Sequence, residues 1–254
     1  MQGVRLSELT WEEAAEAIKR YPIAVIPVGA GTKEHGPHLP CGTDLMVVEE
    51  LARRVVQACP VILMPALAYG YFPAFVDWPG SVSIQPTHFM GVVGDIIRSL
   101  ARHGTRKFLI LDGGVSTFPP MRTLAMQLHL ELGVEVAVTN ILGLGSEVEK
   151  EISEQEFGGH ADEMETSNML AIRPDLVKLD RAVKEASSTI PSTRGAGGVQ
   201  KIYLAGKMTT PHGINGDPTL ARREKGEKML AAMANDIIAF LADYARQDST
   251  ANPA

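Results

Sequence analysis

Four short apolar runs, "IAVIPVG" (23–29), "VILMPAL", "KFLILDGG" (107–114) and "VEVAVTNI", constrain the fold of this chain more than any other feature. None alternates polar with apolar residues, so each reads as a strand covered on both faces. Between them lie stretches with apolar residues at helical spacing: "TDLMVVEELARRVVQAC", "PTHFMGVVGDIIRSLARHG" and "FPPMRTLAMQLHLELG". A further helix, "SELTWEEAAEAIKR", precedes the first strand, with Ser7 or Thr10 as its cap and acidic residues in its first turns. Strand–helix alternation over about 140 residues implies an α/β fold with a mostly parallel sheet and helices on both faces. Ligands in such folds bind beyond the carboxyl ends of strands. Two polar loops, "GTKEHGPHLPCGTD" (31–44) and "DGGVST", fall at those ends.

The rest of the chain is less regular. An acidic stretch, "SEVEKEISEQEF", is followed by "GGHADEMETSNMLAIRPDL" and then by "EASSTIPSTRGAGGVQ", which reads as mobile. A long helix follows a Gly-Asp-Pro start in "GDPTLARREKGEKMLAAMANDIIAFLADYARQ", and 248–254 reads as a frayed tail. With no internal repeat and no linker, 1–254 is expected to form a single domain. Net charge of -6, with neither lysine nor arginine gathered into a run, argues against nucleic-acid or anionic-membrane partners. No stretch has the length of a membrane span or the apolar core of a signal peptide. Two cysteines, Cys41 and Cys59, are too few for a disulfide framework, which points to a reducing cytoplasm.

His35 and Asp44 stand nine residues apart in the first loop, with Gly36, Pro37, Pro40 and Gly42 bending the chain between them. Imidazole plus carboxylate suits zinc, manganese or iron. The competing reading makes Asp44 a helix cap and His35 an ordinary loop residue. A second cluster, "GGHADEMETS" (158–167), gathers His160, Asp162, Glu163 and Glu165 at the start of a helix. On a helix, His160 and Glu163 would share a face, as ligand pair or as general acid and base. The alternative is an acidic helix start favoured by the macrodipole. Sequence motifs for HExxH zinc sites, CxxC pairs, Walker loops and serine-hydrolase elbows are missing.

Taken in order, "PVGAGTKEHGPHLPCGTD", "WPGSVSI", "GGHADEMETSNMLAIRPDLV" and "GINGDPTLARREKGEKML" resemble the creatininase (creatinine amidohydrolase) family over nearly the whole chain. The resemblance implies a three-layer α/β/α sandwich, a homo-oligomer (a hexamer in this family) and a metal-dependent hydrolase of amide bonds. It places His35 and Asp44 on metal ligands, with the aspartate bridging two ions. The family's glutamate two residues before the histidine is replaced, since the triplet here reads Lys33-Glu34-His35. Glu34 reaches the ion only if the loop bulges. Where the family carries a ligand histidine this chain has Gly114, and Ser116 stands where creatinine-hydrolysing members carry a glutamate.

These departures imply one well-formed divalent site, zinc foremost, built from His35, Asp44 and Glu163, and a second site weakened or lost. His160 and Glu163 are then the candidate catalytic pair. Asp112, Trp78 and His38 are candidates for the substrate side, with His38 also able to brace the loop. Tyr69, Tyr71, Phe72, Phe75 and Trp78 line either a pocket or an oligomer interface. His88 and His212 are possible substitutes for the missing ligand, and His103 and His129 read as surface residues. Three functions follow: an amidohydrolase on a small C–N substrate, a single-metal peptidase or formamide hydrolase, and a non-catalytic scaffold on a decayed enzyme fold.

Overall fold

The computed structural model of the chain describes residues 2–186 and 210–247. The tail at 248–254 and most of the expected mobile stretch, "EASSTIPSTRGAGGVQ", lie outside the described residues. Five parallel strands form one sheet: β1 (Val4–Arg5), β2 (Ile23–Val28), β3 (Val61–Leu63), β4 (Lys107–Asp112) and β5 (Glu135–Val138), in the order β1-β3-β2-β4-β5. The expected α/β class therefore holds.

Strand periodicity sends alternate side chains to opposite faces, and here both faces are apolar. Ala24, Ile26, Val28, Phe108 and Ile110 meet α1 (Trp11–Arg20), α3 (Pro86–Arg102) and α4 (Phe118–Leu132) on one side. Ile23, Val25, Leu109 and Leu111 meet α2 (Thr43–Ala58) and α7 (Arg223–Arg246) on the other. Two further helices, α5 (Ser146–Ile152) and α6 (Glu163–Ile172), pack against α7 on that second face. The result is a sandwich of three layers. Phe108, Leu109, Ile110 and Leu111 are each no more than 1% exposed. Burying side chains of that size stabilises the fold by about 1.5–3 kcal/mol apiece.

Local chemistry explains where the elements begin and end. Thr10 caps α1 in a reciprocal box with Glu13, and Ser7 sits instead in a preceding 3-10 turn at Leu6–Glu8. The strand expected over "VILMPAL" ends at Leu63, although Met64 N–H still donates to Val25 O at 2.9 Å before Pro65 turns the chain. Pairing resumes at Leu67, whose N–H donates to Pro27 O at 2.9 Å. The Gly-Asp-Pro start belongs to a separate 3-10 turn, Pro218–Leu220, capped by Asp217, and α7 begins only at Arg223.

The connection from β2 runs outward to β3, whereas the next crosses back to β4 on the other side of β2. The carboxyl ends of β2 and β4 thus flank the switch point of the sheet, where such folds bind ligands. Across from them α6 crosses α7 closely at Gly226, where an added Cβ would lie 1.9 Å from the Ser167 carbonyl oxygen. Gly226→Ala should therefore destabilise the protein by about 1–3 kcal/mol in urea denaturation, because the obstacle is backbone and cannot swing aside. A stability gain of about 1 kcal/mol, the helix-propensity benefit of alanine, would contradict this close crossing.

Candidate metal centre

The loop after β2 is shaped by its own backbone. Lys33 N–H donates to Cys41 O at 2.9 Å, Leu45 N–H to Ala30 O at 3.2 Å, and Glu34 N–H to Ser81 Oγ at 3.0 Å. Gly36 adopts φ 69°, a left-handed conformation that costs glycine little. This folding carries His35 back over the first turn of α2, where Asp44 is buried. Asp44 is not a cap: Gly42 holds the N-cap position and no side-chain cap bond is made. Its carboxylate instead faces inward, with Oδ1 at 2.8 Å from His35 Nε2 and Oδ2 at 2.6 Å from Lys33 Nζ.

His160 enters from the opposite side. Asp162 caps α6 by accepting from the Met164 and Glu165 N–H groups, each at 3.0 Å. Just before it, Ala161 takes φ 49°, a left-handed conformation that strains a residue with a Cβ. That turn lifts His160 off the helix, and a two-way backbone bridge to Asn215 holds it there. Its ring lies 4.9 Å from the His35 ring and 4.4 Å from the Phe75 ring, centroid to centroid. Phe75 also covers Lys33, whose Nζ is 5.1 Å from the ring centroid.

His35, His160 and Glu165 each place one donor atom so that all three atoms lie within 4.8 Å of one another. The hydrogen bonds of the two rings bear on whether a metal fits. His35 Nδ1 lies 2.9 Å from Lys33 O, an acceptor, so it carries hydrogen. Its Nε2 then faces a second acceptor, Asp44 Oδ1, and such a contact needs either a proton or a cation between the two atoms. His160 Nε2 faces only acceptors as well, Glu34 O at 3.0 Å and Glu34 Oε2 at 3.2 Å. The His160 lone pair therefore resides on Nδ1, 3.8 Å from Glu165 Oε2. Two imidazoles and a carboxylate, with one ring oriented by a second carboxylate, match the donor set of an open zinc or manganese site.

Charge reinforces this arrangement. Burial, followed by the His35 charge, pulls the His160 imidazole down to about 3, so it is a neutral donor. His38 falls to about 4 for the same reasons. Burial opposes ionisation of Asp44, yet Lys33 and His35 overcome it and hold the carboxyl well below the usual carboxylate range. The Lys33 ammonium is penalised by burial but held above the usual lysine range by Asp44, Glu165 and Glu34. Burial raises the Glu34 carboxyl, with the Gly36 N–H acting against it.

The structure does not bring every anticipated residue to this place. Glu163, expected as ligand and catalytic group, is wholly buried elsewhere. Its Oε2 accepts from Ser153 Oγ at 3.1 Å and from the Glu154 and Gln155 N–H groups at 2.9 and 2.8 Å. The other oxygen pairs with Lys225. Glu163 thus pins the chain before α6, and Glu165 is the carboxylate that joins His35 and His160. Glu34 meets the Nε2 side of His160 and is not one of the three donors. His38 braces the loop against α6 through Thr166 Oγ1 at 2.9 Å. Trp78 is half-buried in the turn after the 3-10 helix Pro73–Phe75. His88, His103, His129 and His212 are exposed and stand outside the cluster, with His212 Nδ1 2.6 Å from Glu185 Oε1. Sequence reasoning missed Lys33 and Glu165 as members of the centre; three carboxylates in the "HADEMETS" segment concealed which one turns inward.

Similarity to known proteins bears on the family and the fold. The creatininase family profile, described as creatinine amidohydrolase, matches residues 7–241, and the chain belongs to that family. Creatinine amidohydrolase of Pseudomonas putida is 28% identical, over 93% of this chain and 95% of its own length. The mycofactocin precursor peptide peptidase of Mycobacterium ulcerans is 27% identical over 94% of this chain and 92% of its own. Among solved structures, a tryptophan-to-alanine creatininase mutant superposes with a TM-score of 0.82 at 27% identity, covering 97% of this chain and all of that one. Other similar creatininase structures include a manganese form and a zinc–zinc form.

Asp112, at the end of β4, accepts from Gly114 N–H at 3.0 Å and Thr117 Oγ1 at 2.6 Å, both through Oδ1. Its Oδ2 is buried without a hydrogen-bond partner. Burial pushes this carboxyl up to about 7, against the pull of those two donors. A carboxyl raised in the fold opposes folding once it must ionise: the cost is absent below its unfolded value and complete above about 7. Asp112→Asn should therefore gain about 1–3 kcal/mol more stability at pH 8 than at pH 5, measured by denaturant unfolding. A difference independent of pH would contradict the assignment.

Proposed function

We propose that this protein is a metal-dependent hydrolase that cleaves an amide or related C–N bond in a small molecule or short peptide. The observation that carries the reading is the cluster of two buried histidines, His35 and His160, with the half-buried Glu165 at the switch point of a creatininase-family sheet. A divalent ion held there, zinc or manganese, would polarise a substrate carbonyl and acidify a water molecule near neutral pH. His160 offers Nδ1 to the ion while its Nε2–H, donated to Glu34, fixes the ring. That makes Glu34 a positioning residue and His160 a ligand rather than a proton shuttle. Asp44 holds Lys33 from the first turn of α2, and its other oxygen faces His35 Nε2, so an ion on that nitrogen would lie within reach of Asp44 as well. Phe75 shields the His160 ring and the Lys33 ammonium from water, which strengthens the charge interactions beneath it.

Both a creatinine amidohydrolase and a peptide peptidase are similar to this chain at nearly equal identity, which supports an amide substrate without choosing its size. A homo-oligomer and a cytoplasmic setting complete the reading, on the family resemblance and the low cysteine content. None of the described helices is long and apolar enough to cross a membrane.

The test compares three variants for metal content after dialysis and for hydrolysis of creatinine, formamides and short peptides. His35→Ala and Glu165→Gln should each lower metal affinity at least about tenfold and abolish hydrolysis. Glu163→Gln should retain the ion but lose about 1–3 kcal/mol of stability, because the buried acceptor of the Ser153, Glu154 and Gln155 donors loses its charge while Lys225 keeps Glu154. Loss of metal from Glu163→Gln with retention in Glu165→Gln would overturn this assignment of ligands.

A further inference from the structure

Lys33 has no role in the reading above beyond its bond to Asp44, yet its surroundings are unusual for a lysine. The residue is only 8% exposed. Its Nζ is 2.6 Å from Asp44 Oδ2, and the carboxylates of Glu34 and Glu165 also act on it. The Phe75 ring closes the remaining side at 5.1 Å. Its own carbonyl fixes the His35 ring, and its N–H is fixed by Cys41. An ammonium bonded to a buried carboxylate, with the charges of two more acting on it and an aromatic ring over it, stands where a cation is favoured.

We propose that the Lys33 ammonium is a built-in cation that replaces a second metal ion, so that the centre runs on one divalent ion and one lysine. The proposal rests on the metal-dependent reading and deepens it. Three observations converge. Lys33 stands two residues before His35, where the family resemblance implies a ligand glutamate, and Gly114 stands where it implies a ligand histidine. A donor is thus missing on each side of the second ion. Asp44, the carboxylate that would bridge two ions, turns one oxygen toward the His35 nitrogen that would hold the remaining ion and gives the other to Lys33. The charge also balances: a divalent ion with its glutamate brings one net positive charge, and lysine alone brings the same. Replacing the pair by lysine therefore leaves the field at Asp44 and Glu165 nearly unchanged, without a second binding equilibrium.

The experiment loads the full chain with Mn²⁺ and reads ions per chain by elemental analysis, spin coupling by electron paramagnetic resonance, and thermal stability against added Mn²⁺. Wild type should hold one ion with an uncoupled signal, and its melting temperature should stop rising after one equivalent. Lys33→Glu should take up two and give a coupled signal. Lys33→Met, which keeps the length but not the charge, should go on gaining thermal stability beyond the first equivalent, and Lys33→Arg should behave as wild type. Should Lys33→Glu fail to fold, the Met and Arg variants decide. Two ions in wild type, or a single ion in Lys33→Glu with a Lys33→Met titration that ends at one, would overturn the lysine proposal and leave the hydrolase reading intact. No ion in wild type would overturn both.

Discussion

The carboxylate of Asp44 is the point on which the rest of this centre depends. It is buried at the first turn of α2 and would be costly there alone. Lys33 on one oxygen and His35 on the other make it tolerable. These two bonds also set the path of the loop after β2, because residues 33 and 35 must both reach back to residue 44. Once that loop is set, Glu34 between them points the other way and meets His160. The two halves of the centre, one from β2 and one from α6, are joined through that contact.

Much of the fold was legible in the chain because both faces of the sheet are covered. Runs such as "FLIL" carry no polar residue to blur the strand period, and α2, α3 and α4 fill the intervals between them. Elements set by single bonds were harder to see. β1 is two residues long, Val4 and Arg5 against Ile62 and Leu63 of β3, and only a glycine at position 3 lets the chain pass so close to Val61. β3 stops after three residues, one bond short of Pro65.

The centre was half legible. His35 and Asp44 stood out because a loop at a strand's carboxyl end carried two donor types between bending residues. Glu163 was misplaced for a definite reason: spacing from His160 assumes one continuous helix, and the left-handed Ala161 breaks it. Beyond that break the count restarts at the Asp162 cap, and Glu165 rather than Glu163 turns toward the histidines. Lysine inside a carboxylate-rich centre was not sought, since lysine seldom serves as a ligand. Its contribution is charge, which spacing rules do not capture.

As a member of the creatininase family, the chain keeps the frame and alters the centre within it. On the family resemblance, His35 and Asp44 keep ligand positions, while Lys33 and Gly114 stand where a glutamate and a histidine are expected. In the hydrolase proposed above, one ion is held by His35, His160 and Glu165. Anomalous diffraction at the manganese edge from crystals grown with Mn²⁺ tests this most directly. A single peak bounded by those three side chains, with Lys33 still on Asp44, is the predicted result. A peak seated on Asp44 and Glu34 with Lys33 displaced, or no peak at all, would contradict the account.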